Sequence, residues 1–439
     1  MKAGRTLVLM MFLVGIIGVL VNGAPVYSRF LYSSILLAFL AWLWTFWVAR
    51  GLYLERSSRE LRANVGDVLE ENIKLTNRSR IPAAWIEVIN ATTIPFASGS
   101  RLFTLVMAKQ LRNYTARTWL TRRGSFQLGP THVSTGDPFG LFTAGKQFKA
   151  GETLIVLPMI HEIQAFPSPQ GILTGGPVIR RKSADITPHA SGVREYVPGD
   201  AMKRIHWPTS ARRRHLMVKE FEQDPQAEVW IYLDSQRSVH FQKKHEEMEA
   251  PFQTMLLMRR PKIELPPSTL EYSVSIAASL AHYFIRQGRA VGYASAGQVL
   301  NILPAERGVR QEAKVLEMLA FVKADGVLSL GGLIATQAAL LPQGSSVILV
   351  TPTTRPDLFQ AVDEVLRRYL SPIVVVLDAK SFEGPTGSAD LLASLRERRV
   401  PVVSVSCGDN LSETLSGIST NFNLQGPRTW QTPTYVQSI

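Results

Sequence analysis

Two uncharged apolar stretches open the chain, one from about Thr6 to Val21 and one from Phe30 to Ala49. A helix rises ~1.5 Å per residue, so about 20 residues cross the ~30 Å hydrocarbon core of a bilayer. The second stretch has that length and the first approaches it. Between them, Asn22 to Arg29 (NGAPVYSR) is a short polar link with Gly and Pro, suited to a hairpin. The pattern predicts a transmembrane hairpin over residues 1–53, with spans at about 6–22 and 30–49. Tyr27, Tyr32, Trp42, Trp44 and Trp47 lie near the expected ends. The other reading of the first stretch is a cleaved signal peptide cut near Asn22 and Ala24, with Pro25 unfavourable just after the cut.

The period then shortens. Residues 54–167 carry short alternating runs, among them Asn72 to Thr76, Trp85 to Asn90, Tyr114 to Leu120 and Thr153 to Leu157. Turn residues separate them, and no long helical period intervenes, which predicts an antiparallel β-sandwich. Arg122 to Phe142 reads as a strand, a turn and a second strand closing the sheet, with Asp137, Pro138 and Gly140 as turn residues. From residue 228 the pattern changes again. Buried-type strands VWIYL, RAVGYAS, SSVILVT, PIVVVL and PVVSVS alternate with helical segments at 268–287, 310–322 and 357–369. That alternation predicts a parallel sheet covered on both faces over residues 228–419. Residues 236–267 read as a surface insertion, and residues 420–439 as a polar tail that is either disordered or a docking peptide using Trp430 and Tyr435. The expected fold class is α+β multidomain: two transmembrane helices, a β-sandwich, and an α/β domain, with a linker block at 168–227.

Charge sets the orientation. Lys2 and Arg5 precede the first span, Arg50, Arg56, Arg59 and Arg62 follow the second, and only Arg29 lies between. The positive-inside rule puts both termini and the main domains in the cytoplasm. Cys407 is the single cysteine, so no intramolecular disulfide forms, as suits a reducing compartment. The net charge of +13 is spread through the chain, with basic clusters at residues 112–123, 180–182 and 203–219. Anionic lipid headgroups or an acidic protein partner account for it. No helix-turn-helix, zinc-finger or RNA-binding signature is present, which places nucleic acid behind them. The sequence fixes no oligomeric state.

Catalytic motifs are sparse. There is no G-x-S-x-G and no H-E-x-x-H. Gly140 to Lys146 (GLFTAGK) imitates a phosphate loop, but Gln147 stands where a hydroxyl is needed for Mg²⁺ and no helical period follows. His240 and His245 are poorly spaced for two ligands on one helical face. Asp234 and Asp378 end strands, where open α/β sheets place their sites. The densest polar cluster contains Arg194, Glu195, Tyr196, Gly199, Asp200, Arg204, His206, Trp207, Ser210, Arg212 and Glu220. In a structural reading, Arg194, Glu195, Asp200 and Arg204 form an ion-pair network over Trp207 and Tyr196 and clamp the two domains together. In a chemical reading, His206 is an acid/base group oriented by Asp200 or Glu195, and Arg194 and Arg204 bind an anion.

Four short segments, REYVPGD (194–200), RIHW (204–207), SAR (210–212) and KEFE (219–222), together with Arg122 to Phe142, resemble bacterial domain-of-unknown-function family fifty-eight. Pro208-Thr209 departs from that pattern, which usually has a Lys and a small residue there. The resemblance implies a von Willebrand factor type A-like (Rossmann-like) fold for residues 228–419 and a bacterial inner-membrane location. Type A domains often bind a divalent cation through D-x-S-x-S. Here the run is Asp234-Ser235-Gln236-Arg237-Ser238, and Thr351-Pro352-Thr353 supplies no second carboxylate, although Asp378 ends the next strand. No cofactor is therefore expected, Mg²⁺ at a degenerate site of Asp234, Ser238 and Asp378 being the alternative. The resemblance further implies a MoxR-type AAA+ ATPase partner in complex assembly or envelope maintenance. Three functions stay open: a membrane-anchored adaptor or scaffold, an enzyme centred on Arg194, Asp200 and His206, and a metal-dependent protein-binding module at Asp234.

Overall fold

The computed structural model describes residues 2–149, 151–167, 190–197, 202, 205–221, 228–244 and 264–423. The chain is α+β, with two apolar N-terminal helices and five sheets among the described residues. Helix α1 spans Lys2–Val21 and helix α2 Pro25–Gly51. The link between them is much shorter than the expected eight-residue stretch. Pro25 stands in the first turn of α2, where its missing N–H has no helical partner to lose. At the end of α1, Asn22 N and Gly23 N both donate to Gly18 O, at 3.0 and 3.1 Å. A Cβ on Gly18 would lie 2.1 Å from the Tyr27 ring, so only glycine lets the helices approach there. Both helices are long and apolar enough to cross a membrane, and large apolar side chains line their outer faces, which is compatible with a membrane anchor.

Helix α2 runs past its expected end and passes directly into strand β1, Leu52–Ser58. Val48, in its last turn, is fully buried in one core cluster with Leu52, Leu54, Ile73, Ile86 and Val133. The end of α2 is thus part of the β core.

The chain forms two compact units. The first comprises Met1–His161, Phe241–Ser279 and Ala313–Lys323. Its antiparallel sheets are β1 with β3 (Val68–Asn77) and β6 (Leu111–Trp119), and β5 (Arg101–Val106) with β4 (Ala83–Asn90), β8 (Thr131–Gly136) and β9 (Thr143–Phe148). A small mixed sheet joins β2 (Arg62–Asn64), β10 (Glu152–Leu157) and β7 (Gly124–Leu128). Strands β7 and β8 were expected to lie together and close one sheet. They lie in different sheets, and residues 137–142 turn between β8 and β9 instead. The stretch that imitates a phosphate loop runs from this turn into β9.

Alternation along β3 points Leu69, Glu71, Ile73, Leu75 and Asn77 inward. Two of these, Glu71 and Asn77, are polar, and each is hydrogen-bonded. Arg56 Nε donates to Glu71 Oε1 at 2.7 Å, and Arg56 Nη1 donates to Asn90 Oδ1 at 3.0 Å and Thr131 Oγ1 at 3.3 Å. Burial raises the Glu71 carboxyl above its ordinary value even against the pull of Arg56.

Residues 241–279 and 313–323 join this unit rather than following the linear division read from the sequence. Specific bonds explain it. Helix α4 (Thr269–Arg286) donates from Ser275 Oγ to Met159 O at 2.7 Å, and Ser279 Oγ accepts from His161 N at 2.8 Å. The nearly buried Arg123 guanidinium pairs with Glu271 on α4. It also donates to Leu319 O at 3.1 Å and Val322 O at 2.8 Å, carbonyls at the end of helix α5 (Val309–Phe321) that have no partner further along the helix.

The second unit comprises Glu162–His240, Leu280–Glu312 and Ala324–Ile439. It holds a six-stranded sheet in the order β15-β14-β13-β16-β17-β18. The strands are β13 (Val229–Leu233), β14 (Val291–Ala296), β15 (Leu300–Glu306), β16 (Ser346–Thr351), β17 (Ser371–Leu377) and β18 (Val402–Val405). The sheet was expected to be parallel throughout. Edge strand β15 is antiparallel, since the short 297–299 turn returns the chain beside β14. Helices α6 (Leu330–Gln337), α7 (Asp357–Arg367), α8 (Ser388–Glu397) and α9 (Leu411–Asn423) accompany the sheet. Leu333, Val362, Val365 and Leu395 pack with Tyr232, Val347, Leu349 and Val374 in one core.

Removing one partner of a buried ion pair strands the other. Arg56→Ala is expected to destabilise the protein by ~3–5 kcal/mol, and Arg56→Met with Glu71→Leu to recover much of that. Urea unfolding of the detergent-solubilised full chain measures both. Equal losses in the single and double variants would show that the pair is not what the β core depends on.

Candidate functional site

Strand β13 is buried along its whole length, so its chain direction delivers Asp234 to the carboxyl edge of the sheet, 2% exposed. Asp234 N donates to Val350 O at 3.0 Å, continuing the ladder one residue past the strand. The carboxylate then meets two protein donors. Gln236 N reaches Oδ1 at 3.0 Å, and Thr351 Oγ1 reaches Oδ2 at 2.7 Å. Thr351 Oγ1 in turn accepts from Thr353 N at 3.0 Å. The Asp234 carbonyl accepts from His240 Nε2 at 2.9 Å, which fixes that ring nitrogen as the protonated one. Burial pushes the Asp234 carboxyl up to about 6. The bonds from Thr351 and Gln236 act in the opposite direction, Asp357 adds a small upward push, and Arg355 a small downward pull.

The other two residues of the candidate cation set lie apart from this carboxylate. Ser238 is exposed in the 3₁₀ turn Arg237–Val239. Asp378 follows β17, which is separated from β13 by β16, so the backbones of the two strands stand about 10 Å apart. Asp378 Oδ1 accepts from Ser388 Oγ at 2.6 Å. Among the described residues no three His, Cys, Asp or Glu side chains converge as a metal site. Thr351, which sequence reasoning set aside for lacking a carboxylate, is the direct partner of Asp234.

The polar cluster forms a second candidate. Strands β11 (Ala190–Glu195) and β12 (Met217–Phe221) pair antiparallel, with Glu195 opposite Met217 and Arg194 opposite Val218. Tyr196 N extends the pairing to Leu216 O at 2.8 Å. On the other side of β12, Ile205 bridges Val218, and His206 N donates to Met217 O at 2.7 Å. Helix α3 (Trp207–Arg213) starts on His206, whose Nδ1 lies 2.7 Å from Thr209 Oγ1 and accepts from Thr209 N. His206 thus caps a helix. Ser210 is buried: its Oγ donates to His206 O at 2.9 Å and accepts from Met217 N at 2.8 Å, tying α3 to β12.

Trp207 was expected beneath the charges and is instead 65% exposed. Trp207 is the first residue of α3, and it is Ser210, not Trp207, that packs on β12. Val197, Met202 and Leu216 are exposed too, as are Glu195, Arg212, Arg213 and Arg214, while Tyr196 is half-buried. Gly199, Asp200 and Arg204 lie outside the described residues, as do the side chains of Arg194 and Glu220. The exposure of Trp207 has no signal in the sequence, because charges and aromatics in one run do not say which of them faces water.

A sequence profile described as protein of unknown function DUF58 matches residues 192–258, which begin in β11 and take in α3, β12, β13 and Asp234. An uncharacterized protein of Bacillus subtilis (strain 168), YeaD, is 26% identical over 311 residues, covering 68% of this chain and 69% of its own. Both findings make this chain similar to the DUF58 family. Solved structures add nothing to that likeness. The CARDB domain of the Pyrococcus furiosus PF1109 protein aligns at 12% identity and a TM-score of 0.18, covering 24% of this chain and 91% of its own. A GH20 exo-β-N-acetylglucosaminidase of Vibrio harveyi aligns at 7% identity and a TM-score of 0.17, covering 75% and 57%. Neither score carries an argument about this chain.

A carboxyl whose folded pKa is raised binds its proton more tightly in the native state. Its contribution is fully present below the unfolded value of about 4 and is lost as pH rises through about 6. The loss is on the order of 3 kcal/mol. Asp234→Asn is expected to flatten stability across that window. Unfolding midpoints measured from about pH 4 to pH 7 test this, and a variant with the wild-type slope would remove Asp234 as its source.

Proposed function

We propose that this chain is a membrane-anchored adaptor whose β11–α3–β12 segment is the docking element for a protein partner. The observation that carries the reading is Trp207, 65% exposed on a short helix whose backbone is locked from behind by His206 and Ser210. Tryptophan and arginine are the side chains most enriched at the energetic centres of interfaces. Here Arg212, Arg213 and Arg214 follow on the same element, and all are exposed. A rigid scaffold presenting an aromatic anchor loses little entropy on binding. The partner class we favour is a MoxR-type AAA+ ATPase, in complex assembly or envelope maintenance.

Two further features support the setting. Apolar helices α1 and α2 serve as the anchor, and the basic residues flanking them favour a cytoplasmic location for the remainder. We read the antiparallel sheets of the first unit as a sandwich and the six-stranded sheet as type A-like. Its central β13, antiparallel edge β15 and strand-end Asp234 support that reading. In this reading Asp234 is a hydrogen-bond node without a cation, because both carboxylate oxygens already take protein donors.

Purification of the tagged chain from solubilised membranes, with immunodetection of a MoxR-type ATPase, tests the proposal. Wild type is expected to retain the ATPase, and Trp207→Ala with Arg212→Glu to lose at least tenfold of it, the scale of one interface anchor. Both changes fall on exposed side chains, so circular dichroism should be unchanged. Absence of the ATPase from the wild-type preparation, or its full retention by the variant, would overturn the assignment.

A further inference from the structure

The register of the first unit decides which of its loops share an end with the apolar helices. Leu52, the residue after α2, pairs with Asn77 at the end of β3. Thr76 pairs with Leu111, the first residue of β6, which places the 107–110 loop beside that junction. Asn77 Nδ2 donates to Val106 O at 3.3 Å and Met107 O at 3.1 Å, and Asn77 N donates to Gln110 O at 3.0 Å. Arg78 N donates to Gly51 O at 2.8 Å, and its guanidinium sits 4.0 Å over the Tyr53 ring. In the neighbouring sheet Ala83 opens β4 opposite Val106, and Ile86 pairs with Thr135, which brings the 137–142 turn to the same end. That turn meets α1 directly. Arg5 Nε donates to Leu141 O at 2.8 Å, and a Cβ on Gly4 would lie 2.4 Å from Phe139 O. Residues 78–82, 107–110 and 137–142 therefore gather where α1 begins and α2 ends.

What this end exposes is apolar and basic. Leu105 is 62% exposed, Met107 54%, Leu111 53% and Phe139 58%. Arg78, Arg80, Lys109 and Arg112 are exposed among them. The acid of these loops, Asp137, is buried, with its carboxylate accepting from Phe139 N at 2.8 Å and Phe142 N at 2.6 Å. The turn thus hides its negative charge and presents its phenylalanine.

We propose that this end of the β unit is a lipid-docking surface. Leu105, Met107, Leu111 and Phe139 enter the boundary between headgroups and acyl chains of an anionic leaflet, and Arg78, Arg80, Lys109 and Arg112 lie at its phosphates. The inference rests on the anchor reading above and goes beyond it, since an anchor alone leaves the β unit free of the surface. Interfacial binding grows with buried apolar area and with attraction to anionic lipid, and this surface supplies both. Chain continuity supplies the proximity, because Leu52 is covalently the next residue after α2.

The test uses the full chain carrying Cys407→Ser, reconstituted in phosphatidylethanolamine–phosphatidylglycerol vesicles. Single cysteines at Met107→Cys and Phe139→Cys carry an environment-sensitive fluorophore. Leu36→Cys in α2 reports the anchor, and Glu60→Cys, at the far end of β1 about 20 Å away, reports water. Probes at 107 and 139 are expected to show blue-shifted emission and protection from aqueous iodide, and the probe at 60 neither. Arg78→Glu with Arg80→Glu is expected to reverse the shift at 107. Water-like emission at 107 and 139 with a lipid-buried probe at 36 would overturn the docking surface and leave the anchor standing. A water-like probe at 36 would overturn the anchor and the docking surface with it. A shift at 107 indifferent to the two charge reversals would overturn the role of the arginines.

Discussion

Asn77 holds together the place where a membrane-type helix becomes a β-sheet. It is fully buried, and every polar atom of its side chain is engaged. Nδ2 is shared among Ile81 O, Val106 O and Met107 O, and Oδ1 accepts from Ser79 N at 3.1 Å and Ser79 Oγ at 2.7 Å. Those groups belong to the β3–β4 loop and the β5–β6 loop, which leave different sheets. Without an amide here the five hydrogen bonds that tie these loops to β3 would be lost, each worth about 0.5–1.5 kcal/mol. The order of the surrounding loops, and so the surface they present, follows from this one side chain.

The two units treat a buried acid in different ways. Glu71 keeps a cation beside it, and Arg56 is itself held by Asn90 and Thr131, so the pair is fixed from both sides. Asp234 has instead a hydroxyl and a backbone N–H on its carboxylate, with Arg355 and Asp357 acting more weakly. Neutral donors offset less of the desolvation of a carboxylate than a paired guanidinium does. Asp234, its carboxyl pushed up to about 6, stands at the edge of a sheet where α/β proteins place their sites.

The strands buried on both faces were legible in the sequence. VWIYL, SVILVT and PIVVVL have no polar period to obscure them, and the acid that closes the first of these runs marks Asp234 as a strand-end residue. Other elements gave weaker signals. Strand β1 follows α2 with no turn residue between them, so its alternation merges with the end of an apolar run. Pro304 argues against a strand, and β15 holds it because it lies at an edge where the missing N–H has no ladder partner to lose. Helix α6 carries Gly331 and Gly332, poor helix formers that packing against the sheet overrides. At the sites, the missing information was long-range. Thr351 lies 117 residues from Asp234, and Arg123 reaches carbonyls 196 and 199 residues away. No local spacing records such partners.

The passage of α2 into β1 without a linker has a mechanical meaning. A transmembrane helix usually meets a change in bilayer thickness by tilting, and a flexible tether would let the attached body ignore that tilt. Here Val48 is sealed in the β core and Gly51 is followed at once by a paired strand. The helix cannot slide or swivel independently of the sheet. Any inclination of α2 therefore becomes an inclination of the β core it is sealed into, with no tether between them to absorb it.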